Sequence, residues 1–307
     1  METLLNKPLG SLIRLDWEKT LYIILIILAL TTRLWGLGDR VQSHDESLHT
    51  QYSWYLYAGR GFQHTPMMHG PFLFHATAFS YFLLGDNDLT ARLPVALMGV
   101  ALVALPYLLR RWLGRAGALA TSFLLLISPS IAYYSRYIRH DIPIMLWFLI
   151  TIFAVFSYLH DGRKHWLYLM AAGISLAFAT KEVAFIYHAT LGLFLVGLFV
   201  LRLWEYQWSR KSLYWYFLIA LAMTGLGLAL LLVGVLQAGE SNVPPWWTFT
   251  GGMLAVLALA TAAFILVTRV GRDLHNYRCF DLIIVLGTLC LPFFAPIPIR
   301  IVGLKPL

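Results

Sequence analysis

Apolar runs of about twenty residues recur along the whole chain, with short clusters of Lys and Arg between them. That rhythm excludes most soluble architectures. Charged residues make up only 12% of the 307, too few to solvate the surface of a water-soluble domain. The alternating apolar–polar strands of a transmembrane barrel are absent from the sequence. The pattern predicts an all-α polytopic membrane protein.

The basic clusters set the sidedness. They fall at Lys7, Arg14 and Lys19, at Arg110, Arg111 and Arg115, at Arg163 and Lys164, at Arg202, Arg210 and Lys211, and at Arg269, Arg272 and Arg278. Such clusters mark cytoplasmic loops, so an even number of crossings separates each neighbouring pair. The net charge of +8 then anchors loops to the cytosolic side. Nucleic-acid binding would want a basic face interleaved with aromatics, and no nucleic-acid partner is expected. The first run, LYIILIILAL, lacks a small-x-small cleavage site after it and reads as an uncleaved span over 20–38.

Runs near 116–135 and 142–160, 166–180 and 183–201, and 213–236 and 248–268 form in–out–in pairs, and 280–298 leads outward again. The segment 96–109 crosses as well. PFLFHATAFSYFLLG at 71–85 is too short for a full span and would put Arg110 and Arg111 on the wrong side if it crossed. It is predicted to lie in the interface. The count is about nine spans. Residues 39–90 then form one long extracytoplasmic loop, in which 44–57 reads as an amphipathic, aromatic-rich interfacial helix. The chain is expected to be a single membrane domain over 1–307, with core spans in 91–210 and further spans in 211–307. Cys279 and Cys290 are eleven apart in one apolar stretch, too far along a helix to pair.

Three outer boundaries carry unusual chemistry. The first is SHDESLH at 43–49. Ser43 and Glu46 match a capping box, and Asp45 at a helix start could serve the dipole. Glu46 and His49, at i, i+3, are also candidate ligands for a divalent metal, with His44, His64, His69 and His75 as further donors; the pattern is neither HExxH nor a paired ExxH set. A third reading makes a carboxylate here the general base for an acceptor hydroxyl.

The second boundary is YYSRYIRHDIP, with Arg136 and Arg139 three apart on one helix face. Two outward arginines suit a phosphate, although they could also neutralise Asp141. The third is FATKEVAF, where Lys181 and Glu182 sit between two apolar runs. They form either a local pair or part of a functional site. The three boundaries together supply carboxylates to activate an acceptor and cations to hold a lipid-linked phosphate as leaving group.

These residues carry a resemblance. The DE pair of the first outer loop, HGPFLFHATAFSYFLLGDND, ARLPVALMGV, RRWLGRAGALA, SRYIRHD and FATKE resemble the GT-C membrane glycosyltransferases of family 39, the group of protein O-mannosyltransferases and aminoarabinose transferases. HGPFL is similar to that family's HPPL stretch, with Gly70 in place of a proline. Within the family the likeness is strongest to a prokaryotic subgroup labelled flippase-activity-associated glycosylation proteins. It covers roughly residues 15–200 and thins afterwards.

The resemblance implies a GT-C-like bundle with interfacial helices in the first outer loop. It implies an inverting hexosyl- or pentosyltransferase that takes a sugar from a polyprenyl phosphate and gives it to a protein, lipid or glycan acceptor on the extracytoplasmic face of the cell membrane. It places the catalytic acid at Asp45 with Glu46 beside it, and phosphate contacts at Arg136, Arg139 and Lys181. His49, Asp141 and Glu182 support these. Members of the family usually carry more spans, so the chain is expected to be an N-terminal portion or a shortened product.

Two rival roles differ in kind. A non-catalytic or transport protein would help move lipid-linked sugars, but transporters show internal repeats and mid-membrane ions, whereas the ions here sit at span ends. A purely structural partner subunit would make the charged residues matter for stability alone.

Overall fold

The computed structural model describes residues 16–62, 69–241 and 245–294. Among the described residues the chain is helical, with no strand. Two compact units divide it, one ending at Tyr187 and the other beginning at His188.

In the first unit, α1 (Trp17–Leu34) starts at Asp16, whose side chain accepts from the Glu18 amide at 2.7 Å. Helices α2 (His44–Tyr57) and α3 (Phe72–Leu84) follow. Next come α4 (Asp88–Ala104) and α5 (Pro106–Ile127), then the short α6 (Pro129–Tyr134). Helices α7 (Asp141–Asp161) and α8 (His165–Phe178) complete the unit.

Two buried charges on α1 report how its neighbours run. Glu18, near its start, pairs with Arg110 at 3.6 Å and Arg115 at 3.4 Å. Arg33, near its end, is fully buried and donates to the carbonyls of Leu125 at 3.1 Å and Leu126 at 3.4 Å, the free C-terminal acceptors of α5. So α5 cannot be one straight rod. It breaks at Gly114, whose φ of 72° and ψ of 164° are non-helical. Leu105 keeps helical torsions, so α4 runs on to residue 113, Gly114 turns the chain, and 115–127 returns. Val103 and Leu126 consequently meet the same α1 residues, Tyr22, Leu25 and Ala29.

Only glycine occupies the Gly114 conformation readily. Nothing lies within 4 Å of a Cβ built there, so the strain is purely local. Gly114→Ala is expected to lower stability by about 1–3 kcal/mol, read as a lower thermal midpoint in detergent. An unchanged midpoint would contradict a turn at this residue.

The crossing assigned to 96–109 begins at Asp88, because Arg92 is buried and paired and does not interrupt the helix. The turn is made at Gly114 alone, inside the basic RRWLGR stretch.

Helix α7 then runs from Asp141 toward the Gly114 end, where Trp112 contacts Phe153 and Phe156, with ring centroids 6.3 and 5.7 Å apart. Helix α8 brings the chain back to Lys181. Helix α3 does not traverse. At its start the Phe72 amide donates to the Ala179 carbonyl at 2.9 Å, and near its end the Ser80 hydroxyl donates to the Thr90 carbonyl at 2.7 Å. Both partners lie at the same end of the bundle, so α3 lies across that end, as its short length predicts.

Helix α9 (Ala184–Trp204) begins in the first unit. In the second, α10 (Lys211–Ser241) and α11 (Trp246–Arg269) form a hairpin whose α11 face buries Ala255, Ala258 and Ala262, small residues that let helices approach. A 3-10 turn (Gly271–Asn276) leads to α12 (Arg278–Phe294). Both cysteines are free.

Five helical stretches are long and apolar enough to cross a bilayer: Asp88–Ile127, Asp141–Asp161, Ala184–Trp204, Lys211–Gln237 and Trp246–Arg269. The first of these is the reversed pair. Helix α1 falls outside that composition only because Glu18, Lys19 and Arg33 sit near its ends. The chain is a multi-pass helical membrane protein.

Candidate active site

Helix α2 buries a polar stripe, not an apolar one. Glu46, His49 and Ser53 face inward at helical spacing, while Leu48 and Tyr57 stay exposed. This corrects the expectation of an apolar face laid on the bilayer. The cause is what lies beneath the helix: Arg92 of α4 and His140 at the start of α7.

Glu46 is the anchor. Its side chain is 0% exposed. Arg92 Nε donates to its Oε1 at 3.0 Å and Arg92 Nη2 to its Oε2 at 3.3 Å. Arg40 Nη2 and the Ser43 amide donate to Oε2 at 2.8 and 3.1 Å. Arg92 Nη1 also holds the carbonyls of Leu37 and Arg40, both at 2.9 Å. Burial alone would raise the Glu46 carboxyl, but the Arg92 hydrogen bond, the Ser43 amide and the two guanidinium charges outweigh it and hold it below the usual range. The capping box exists, and it is tied to a buried arginine as well.

Asp45, one residue earlier, is turned the other way. Its side chain is 48% exposed, and its one ion pair among the described residues, with Arg139, spans 3.7 Å. Arg139 stands at the same 3.7 Å from Asp141. Neither distance is a hydrogen bond. Asp141 also takes a hydrogen bond from Lys181 Nζ at 2.6 Å. Lys181 and Glu182 therefore do not pair locally; Glu182 goes to His69 Nδ1 at 2.7 Å. Its own amide and the His69 bond hold the Glu182 carboxyl low against the raising effect of burial. The three boundary segments converge as a row: Asp45, Arg139, Asp141, Lys181.

His69 and Gly70 bring a fourth segment to the row. The Gly70 amide donates to the Thr180 carbonyl at 3.1 Å. A Cβ on Gly70 would overlap the Ala179 carbonyl, so only glycine permits this approach. His69 itself has a positive φ of 58°.

His140 lies at the centre. Its ring is 5.0 Å from that of His49 and 5.1 Å from that of His69. His49 is 6% and His140 1% exposed, and Nδ1 of each has no hydrogen-bond partner among the described residues. Burial first, then the neighbouring histidine and cationic charges, pushes His49 down to about 4 and His140 down to about 2, against smaller opposing effects of Asp45 and Asp141 on His49 and of the Gly70 carbonyl on His140.

Both imidazoles are thus neutral in the folded chain at pH 7. An unfolded histidine takes a proton below about pH 6.5. Unfolding then binds protons that the folded state excludes, so stability falls as pH drops from about 6.5 toward 4, by up to about 1.4 kcal/mol per pH unit for each ring. Above pH 6.5 the two contribute no pH dependence. The thermal midpoint should decline between pH 7 and pH 5, and less so in His49→Gln. An equal decline in that variant would contradict the burial of a neutral ring.

Other expected residues lie elsewhere. Arg136, expected on the donor phosphate, donates to the carbonyls of Thr32, Trp35 and Gly36 at 2.9, 2.7 and 3.0 Å, and so caps the end of α1. Of the metal donors, both Glu46 oxygens face arginines, and among the described residues no three His, Cys, Asp or Glu side chains converge on one point. The exposed ring of His75 is bonded through Nδ1 to the Pro71 carbonyl at 2.8 Å, His44 is exposed, and His64 lies outside the described residues. The residues that sequence reasoning missed are Arg92 and Arg40. Arg92 lies in the ARLP motif, but nothing in that motif reveals the partner of its arginine.

A sequence model of the dolichyl-phosphate-mannose-protein mannosyltransferase family matches residues 68–227. In fold, the chain is similar to the crystal structure of the apo oligosaccharyltransferase of Archaeoglobus fulgidus, with a TM-score of 0.55 and 15% identity. The likeness covers 92% of this chain and 38% of that one. No curated protein matches the chain in sequence at a significant level.

Proposed function

Since the chain belongs to the dolichyl-phosphate-mannose-protein mannosyltransferase family, which it matches over 68–227 of its 307 residues, we propose that it transfers a sugar from a polyprenyl phosphate to an acceptor hydroxyl at the row formed by Asp45, Arg139, Asp141 and Lys181. The superfamily is that of the GT-C glycosyltransferases. Within it, the motifs favour the prokaryotic flippase-activity-associated subgroup, and the positive-inside pattern favours an extracytoplasmic site.

One observation carries the reading: of the carboxylates in the cluster, Asp45 alone accepts no side-chain hydrogen bond among the described residues. Glu46 accepts from two arginines, Asp141 accepts from Lys181, and Glu182 is bonded to His69. A base must be free to approach the proton it takes. Asp45 is half-exposed beside a guanidinium that makes no hydrogen bond with it.

In the proposed step, the acceptor hydroxyl attacks the sugar C1 on the face opposite the phosphate. The C1–O bond breaks, and its electron pair leaves with the polyprenyl phosphate, which gains one negative charge. The hydroxyl proton passes to Asp45. Single displacement inverts the anomeric centre. Arg139 and Lys181 stabilise the charge that grows on the leaving phosphate. Glu46 acts by orientation: clamped by Arg92, it fixes the helix turn that carries Asp45. Arg136 contributes through the end of α1.

Equilibrium binding of polyprenyl phosphate to the purified chain tests the phosphate half. Arg139→Gln and Lys181→Gln should each weaken it about tenfold, since a charge-assisted contact is lost. Unchanged affinity in both would overturn the assignment. The rival reading, assisted translocation, would be favoured if lipid-linked sugar crossed a vesicle membrane intact at a rate set by this protein.

A further inference from the structure

An open cavity lies behind the helix that carries Asp45. Its volume is about 350 Å³, and Gln42, Ser47, Gln51, Trp54, Asp86 and Asp88 line it. Ser47, Gln51 and Trp54 stand roughly half a turn around α2 from Asp45 and His49, so one helix separates the two places. Nothing in the proposed transfer step uses these residues.

The lining has a definite chemistry. Asp86 Oδ2 accepts from Trp54 Nε1 at 2.8 Å, and Asp88 Oδ1 accepts from Gln42 Nε2 at 2.9 Å. The other oxygen of each carboxylate makes no hydrogen bond among the described residues, and neither carboxylate has an ion-pair partner there. Carboxylates only accept hydrogen bonds, so an occupant must bring donors. Two unpaired negative charges also repel a phosphate, so the cavity is no second place for the lipid-linked donor. The indole of Trp54 is fixed from two directions, by Asp86 and by the Arg60 guanidinium 5.1 Å from its ring. A rigid aromatic beside paired acceptors suits a ring with an apolar C–H face and a rim of hydroxyls.

We propose that this cavity binds a neutral hexose unit of a glycan acceptor. The word acceptor rests on the transfer reading above, whereas the binding does not. The glycan would engage the back of α2 while another of its hydroxyls reaches Asp45.

Ligand-observed saturation-transfer NMR tests this with the purified full chain in a detergent that has no sugar headgroup. The probes are neutral hexose oligosaccharides, a uronic-acid oligosaccharide and an unglycosylated Ser/Thr peptide. Saturation of the neutral oligosaccharides alone is expected, weakened roughly tenfold or more by Trp54→Ala and by Gln51→Ala. Gln51 is exposed, so its variant keeps the fold, which the thermal midpoint checks. Absence of saturation in any oligosaccharide would overturn the proposal, as would oligosaccharide binding that both variants leave intact. Peptide binding lost in the same variants would overturn it in favour of a polypeptide acceptor. Oligosaccharide binding lost in the variants, in a parent that transfers no sugar from any donor, would support the cavity and sink only the transfer reading. Transfer to a bare peptide without oligosaccharide binding would do the reverse.

Discussion

Asp45→Asn is expected to lower sugar transfer by about 10²–10⁴-fold while polyprenyl phosphate binding stays within about threefold. The amide keeps the size of the carboxylate and leaves the α2 anchor untouched, because Glu46, not Asp45, carries the contacts to Arg92 and Arg40. What disappears is the anionic oxygen that is basic enough to take the acceptor proton. Among the described residues Asp45 accepts no hydrogen bond and its ion pair with Arg139 spans 3.7 Å, so the substitution removes no hydrogen bond seen to hold the fold. The thermal midpoint should therefore change little. Full activity in the variant would assign the base elsewhere, and Asp141 would be the next carboxylate to test.

Arg92→Ala is expected to damage the fold itself. Arg92 and Glu46 are both buried, with side chains 1% and 0% exposed. Removing one partner of such a pair leaves the other charge uncompensated, at a cost of about 3–5 kcal/mol. The same side chain holds the carbonyls of Leu37 and Arg40, which tie the end of the first crossing to α4. Against a total stability of about 5–15 kcal/mol, that loss is a large fraction and should lower both the thermal midpoint and the amount of folded protein in the membrane. Arg92→Lys should not rescue it, because one ammonium cannot match a planar fork that reaches a carboxylate and two carbonyls. Wild-type accumulation and an unchanged thermal midpoint in Arg92→Ala would refute the anchoring role of Glu46.

The parts of the candidate site that are legible in the sequence share a property. Asp45, Arg139, Asp141, Lys181 and Glu182 are ionisable residues at the ends of apolar runs, where any charge needs a reason. Their convergence was readable from sidedness, since all fall at boundaries assigned to one face. What escaped were partners with no sequence signature. Arg136 binds three backbone carbonyls, and a carbonyl looks the same at every residue. Arg33 and Arg92 lie inside or beside apolar runs, where a lone arginine reads as a boundary and not as a buried tie.

Helix α2 misled for a related reason. Its pattern suggested an apolar face toward lipid, yet its buried stripe is Glu46, His49 and Ser53 because Arg92 and His140 wait beneath it. Gly70 was visible as a substitution for proline, but its requirement for close approach to Ala179 depends on a residue more than a hundred positions away. The turn at Gly114 was hidden inside the basic cluster that marked the loop.

The most direct measurement is a single-turnover reaction of the purified chain with polyprenyl-phosphate sugars and a hydroxyl acceptor, followed by NMR of the anomeric carbon. Release of one polyprenyl phosphate per sugar transferred, with inverted configuration at C1, is the expected result. Retained configuration would contradict a single displacement assisted by Asp45. Bound donor that stays intact would contradict sugar transfer by this chain altogether.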